Sequence, residues 1–254
     1  MIRFVSFLIL LAALTVRAES TADKLTAAGI IKFTAAYQAW DGARFAAATE
    51  LFRQASTNTS ATATNFYWLG ASEFHRMLQL RGHPTNTIAA DAALESAVAA
   101  LTAAVKLGED HAESQALLGT LYGMKINGSL LRAAWFGPHV AKHQAGALKF
   151  GAGNPRVQYL FGMCQFHLAK KPAAWQEALT TLLRAEKIFE AEAKTTAAPL
   201  DPRWGYDSCL TFLGRTYELL GQRKEAADYF RRALAMHPAD HLAKEGLKRV
   251  TKMK

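Results

Sequence analysis

Residues 212–238 read FLGRTYELLGQRKEAADYFRRALAMHP. Two helical runs flank a short turn, yet Gly214 lies inside the first run, where glycine costs about 1 kcal/mol relative to alanine. Leu213-Gly214 is followed by Tyr217, then by Ala226, Phe230 and Ala233, and the stretch ends at Pro238. Ala226, Phe230 and Ala233 fall on one helical face. A large residue between two small ones on one helix, opposite a glycine on the other, lets two backbones approach closely.

The spacing recurs. Leu69-Gly70, Leu118-Gly119 and Phe161-Gly162 repeat the first-helix signature, with Tyr122 at the place of Tyr217. Ala48-Phe52-Ala55, Ala97-Leu101-Ala104 and Ala178-Leu182-Ala185 repeat the second. The weakest copies are the first helix of the first unit, where Ala36 takes the glycine's place, and Val140, Gln144 and Ala147 in the third.

This pattern resembles the tetratricopeptide repeat (TPR), a helix–turn–helix unit of 34 residues. Gly70, Gly119, Gly162, Gly214, Tyr217, Ala226, Phe230, Ala233 and Pro238 are the repeat-packing positions it assigns. The resemblance implies an all-α, right-handed solenoid of helical hairpins. Five repeats are expected at about 29–62, 63–111, 112–154, 155–206 and 207–240, with residues 241–254 as a capping helix. The middle repeats are longer than the family's, and the extra residues are expected in loops around RGHPTNTIAAD, INGSLLRAAWFGPH and KKPA. Gly137-Pro138, Asn154-Pro155-Arg156 and Trp204-Gly205 further resemble exported bacterial TPR proteins of undefined activity.

The first residues, MIRFVSFLILLAALTVRAES, place Arg3 before an apolar run that ends in Val16-Arg17-Ala18. That is the layout of a secretory signal cleaved after residue 18, against the alternative of an uncleaved amphipathic helix. Residues 19–254 then form one solenoid domain with no transmembrane segment, exported and, in a Gram-negative cell, periplasmic. The full chain carries a net charge of +9. Lys244, Lys248, Arg249, Lys252 and Lys254 crowd the C-terminus, where cations suit a helix dipole. Arginine–aromatic interleaving is missing, so no nucleic-acid partner is expected. Cys164 and Cys209 fall on core-bearing helical runs and are expected as free thiols rather than a disulfide.

No constellation in the sequence specifies catalysis, and no cofactor is implied. His139 and His143 are four apart but lack the glutamate of a zinc-binding helix, and read as exposed helix polarity. Cys164 and His167 lack a third, orienting group. The glycines of KFGAGNPR lack the lysine–hydroxyl ending of a phosphate loop. Trp135, Trp175 and Trp204 read as core staples.

Binding is the better reading. In TPR proteins the first helices line a concave groove that takes a peptide or partner helix. Helical spacing projects Tyr67, Phe74, His75, Arg156, Tyr159, Met163, Phe166, His167 and Arg215 onto it, with Ala71, Ser208 and Glu218 beside them. The alternative is that inserted segments fill the concave side. Two rival functions are metal or enzyme chemistry at His139 and His143, and attachment of the basic C-terminal helix to an anionic surface.

Overall fold

The structure is a computed structural model and describes residues 20–82 and 84–252. The expected signal, residues 1–18, lies outside the described residues. Eleven α-helices are present among them: α1 (Thr21–Ala39), α2 (Gly42–Ser56), α3 (Ala63–Arg81), α4 (Thr87–Leu107), α5 (Ala112–Ile126), α6 (Leu130–Gly151), α7 (Pro155–Leu168), α8 (Pro172–Glu192), α9 (Tyr206–Leu219), α10 (Arg223–Met236) and α11 (His241–Lys252). A 3-10 turn, Pro84–Asn86, separates α3 from α4. Consecutive helices pair as five antiparallel hairpins, and α11 covers the open side of the last one.

Side-chain caps fix several helix starts. Ser20 Oγ accepts from the Asp23 amide and Asp41 Oδ1 from the Arg44 amide. Asn154 Oδ1 accepts from the Arg156 and Val157 amides, with Pro155 at the first helical position. Each oxygen satisfies amides that a helix leaves unpaired at its start.

Glycine-to-large packing joins the hairpins. A β-carbon on Gly70 would lie 2.5 Å from Leu101, one on Gly162 2.9 Å from Leu182, and one on Gly214 2.7 Å from Phe230. Phe230 is wedged between Gly214 of α9 and Gly246 of α11. In the first hairpin the glycine is Gly29, 2.5 Å by the same measure from Phe52, and not the position of Ala36. Ala36 is also fully buried, so the family spacing had pointed to a neighbouring small residue on the same helix. The third hairpin is looser, with Gly119 facing Gln144 at an ordinary 3.5 Å.

Only part of the extra residues forms the expected loops, in the short connections before α4, α6 and α8. The rest lengthen helices: α3 and α4 run to 19 and 21 residues, and α6 to 22. Gly137 and Pro138 had signalled a loop, but Pro138 sits within α6. It is exposed there, so the Ala134 carbonyl that loses its helical donor has access to water. The apolar, alanine-rich α4 is the one described helix with the length and composition of a membrane span, yet Leu94, Leu101 and five alanines of it are buried.

The concave side is filled. Residues 193–205, between α8 and α9, cross it and carry Trp204 into the interior, where it is 4% exposed. Trp204 Nε1 donates to the Tyr67 hydroxyl at 2.9 Å, and Trp68 Nε1 donates to the Leu200 carbonyl at 2.9 Å. The solenoid also closes on itself. The Tyr37 hydroxyl of α1 donates to Asp207 of α9 at 2.8 Å, and the Tyr37 ring stacks on His237 at 5.2 Å.

Candidate functional site

Two polar clusters organise the filled interior. The first joins the solenoid's ends. Asp207 accepts from Tyr37, and His237 Nδ1 lies 2.9 Å from its other oxygen; Ser208 is 3.0 Å from the Tyr37 hydroxyl. Burial, then the Asp207 charge, pushes the Tyr37 phenol well above its ordinary pKa. His75 lies beside this cluster, among the rings of Phe33, Tyr37, Phe45, Phe74 and Trp204. Its Nδ1 donates to the Ala71 carbonyl at 2.8 Å, and burial lowers its pKa to about 4. The ring is therefore neutral at pH 7 and serves as packing with one satisfied donor.

The second cluster centres on Arg156, at the start of α7. Its Nε donates to Glu113 Oε1 at 2.8 Å, one amino group reaches Glu192 Oε2 at 3.0 Å, and the other pairs with Glu192 Oε1. Asn154 also donates to Glu113 Oε1, at 2.7 Å. Burial alone would lower the guanidinium pKa; Glu113 and Glu192 more than offset it and hold it above its ordinary value. Two carboxylates around one buried cation leave an excess negative charge.

Beside this cluster an open cleft of about 330 Å³ lies between the starts of α3 and α5 and the crossing linker. Thr64, Tyr67, His111, Glu113, Asn154 and Asp201 contribute its polar lining. Glu113 Oε2 is buried with no hydrogen-bond partner in the protein. The Tyr67 phenol is pushed far up, by burial first and then by the Glu113 charge. The His111 ring packs 5.1 Å from Tyr67, and burial lowers its pKa.

The nine residues projected onto a groove have different fates. Tyr67, Phe74, His75, Arg156, Tyr159, Met163 and Phe166 are buried within the fold, because the linker and the ring closure occupy the space a peptide would take. Tyr67 is the one of these that also lines the cleft. His167 is exposed and Arg215 half-buried, with the Arg215 guanidinium over the rings of Phe166 and Phe212 at 4.8 and 4.9 Å. Asn154 was noticed in the sequence only as part of Asn154-Pro155-Arg156, and His111 and Glu113 were not singled out; each begins a helix or lies in its first turn, where a polar residue reads as a cap.

Other sequence expectations change as well. His143 is not exposed: its Nδ1 lies 2.6 Å from Gln115 Oε1, and burial, then Lys142, lowers its pKa to about 4. The Tyr122 ring stacks with His139 and His143, at 4.9 and 5.7 Å. No group of three or more potential metal-ligating side chains occurs among the described residues. Trp204 is a staple, but Trp135 is 72% exposed. Cys209 is buried and Cys164 half-buried, and both are free.

A solved thermophilic TPR protein from Thermus thermophilus, TTC0263, superposes with a TM-score of 0.61 over 90% of this chain and 98% of its own, at 14% identity. The fold is that of the tetratricopeptide-repeat proteins. Two further comparisons agree on architecture. The HusA haemophore from Porphyromonas gingivalis gives a TM-score of 0.61 at 17% identity, covering 80% of this chain and 96% of its own. The structure of the APC/C hetero-tetramer Cut9–Hcn1 gives 0.54 at 15% identity, covering 93% of this chain and 44% of that one. No protein-family model and no curated protein matches the sequence. At these identities the likeness establishes the TPR architecture alone.

Proposed function

We propose that this TPR chain is an exported, non-catalytic scaffold that holds a partner protein or peptide, and that the cleft beside Arg156 receives a basic side chain of that partner. The observation that carries this reading is the pair of carboxylates, Glu113 and Glu192, held around the single Arg156 guanidinium beside an open cleft. An ammonium or guanidinium group entering that cleft balances their excess negative charge. Tyr67 and His111 give the aliphatic stem of such a side chain an aromatic wall. The signal-like first residues support export, and the TPR resemblance supports a polypeptide partner. His167 and Arg215, still accessible on α7 and α9, offer a second contact.

Affinity capture from the exported fraction tests the cleft. Thr64→Trp narrows its mouth, and Asp201→Lys reverses an exposed charge at its rim. Both variants are expected to lose the partner, and excess N-acetyl-lysine methylamide is expected to compete with it. A partner retained by both variants, or lost only with Arg215→Ala, counts against the cleft.

A further inference from the structure

The third hairpin carries an exposed apolar tip. The turn between α5 and α6 is tight, with Asn127 and Gly128 both at positive φ (43° and 74°). Immediately after it Leu130 and Leu131 are 88% and 86% exposed, and Trp135 follows one turn later. Of α6, only His143 and Ala147 are buried, both in its second half. Three large apolar side chains at and just after this turn are left on the surface.

The charge around this tip is one-sided. No Asp or Glu occurs between Glu113 and Glu177, whereas Lys125, Arg132, Lys142, Lys149, Arg156, Lys170 and Lys171 all do. Lys125 pairs with Glu95 of α4, and Arg156 is buried in its carboxylate cluster. Arg132, Lys142 and Lys149 remain on the exposed surface of α6. At 3.6 residues per turn, Leu131, Trp135, Lys142 and Lys149 fall within about 40° of one another around that helix. They make one outward stripe, apolar near the turn and cationic behind it.

We propose that this outward stripe of α6 lies along an anionic lipid bilayer, with Leu130, Leu131 and Trp135 entering the headgroup region and Arg132, Lys142 and Lys149 meeting lipid phosphates. The occupant follows from the charge and the shape. A second copy of this chain would bring the cations of one stripe against those of the other. An exposed helix face, rather than a groove, suits a soft surface that admits side chains. Leucine and tryptophan beside cations match the interfacial preference of each type. This surface is separate from the cleft and from α11, so it stands or falls independently of the proposed partner binding.

Co-sedimentation of the full chain with vesicles of phosphatidylcholine containing 30% phosphatidylglycerol, against phosphatidylcholine alone, tests the docking. Binding is expected only to the anionic vesicles, with a blue shift of tryptophan emission that Trp135→Phe removes while binding persists. Leu131→Ser combined with Trp135→Ser is expected to weaken binding at least tenfold, and Lys142→Glu with Lys149→Glu similarly, with unchanged circular dichroism. Lys244→Glu with Lys248→Glu on α11 is expected to leave it intact. The proposal is overturned by absent binding to anionic vesicles, by undiminished binding of the Leu131/Trp135 variant, or by loss through the α11 variant instead. Capture of an acidic protein by the tip without vesicle binding also overturns it.

Discussion

The second and third hairpins share a sequence signature but differ in what the glycine meets. In the second, Gly70 sits against Leu101, and the helices bury Tyr67, Trp68, Phe74, Met77 and Leu101. In the third, Gly119 meets Gln144 without crowding, and a water-sized cavity of about 10 Å³ lies among α5, α6 and α7. The glycine is required only where a large apolar residue fills the space opposite it. Where that residue is a glutamine, the buried side chains of the second helix are confined to its second half, and Leu130, Leu131 and Trp135 at its start face outward.

The largest expected effect sets the filled interior apart from the third hairpin. Trp204→Ala removes the wedge against Tyr67 and His75 and is expected to cost about 3–5 kcal/mol in urea-induced unfolding. A cost near that of an exposed tryptophan such as Trp135 would mean the linker is not part of the core. The glycines give a sharper test because the sign should reverse. Gly214→Ala drives a β-carbon into Phe230 and is expected to destabilise by about 1–3 kcal/mol. Gly119→Ala has room, and is expected to stabilise by about 0.5–1 kcal/mol through helix propensity.

Acid sensitivity gives the smallest effect and draws on both regions. His75, beside Asp207 and His237, and His143, beside Lys142 and His139, are held neutral down to about pH 4, whereas the unfolded chain takes up those protons near pH 6.5. The unfolded state therefore gains protons first as the pH falls. Stability is full above pH 6.5 and declines toward pH 4, by at most about 1.4 kcal/mol per pH unit for each histidine. His143→Gln keeps a polar partner for Gln115 and is expected to reduce that slope, read from urea midpoints at pH 7 and pH 5. An unaltered slope would place His143 in contact with solvent.

The hairpins were legible in the sequence because small and large residues recur at helical offsets, a local signal. The glycine of the first hairpin was misplaced because Gly29 and Ala36 are both small and both buried on one helix. Gly137 and Pro138 misled because proline's cost depends on whether water reaches the freed carbonyl, which is a property of tertiary placement. The cleft was invisible for a different reason. Tyr67, Glu113, Asn154 and Asp201 come from separate helices and a linker, and no spacing rule connects them. Tyr67 and Arg156 were singled out for their position on first helices; their burial is decided by a linker that crosses from the fourth repeat.

The link from Tyr37 to Asp207 spans 170 positions, and that from Tyr67 to Trp204 spans 137. An open array of repeats contacts only its neighbours, so it frays from its ends and tolerates the loss of a terminal unit. Here the first and last repeats hold one another, and the linker ties the second to the fourth. Such long-range closure slows folding, because distant segments must meet before the contacts reward it. It also couples the units: removing the last hairpin strips the first of its tyrosine's acceptor, so neither end is free to fray on its own.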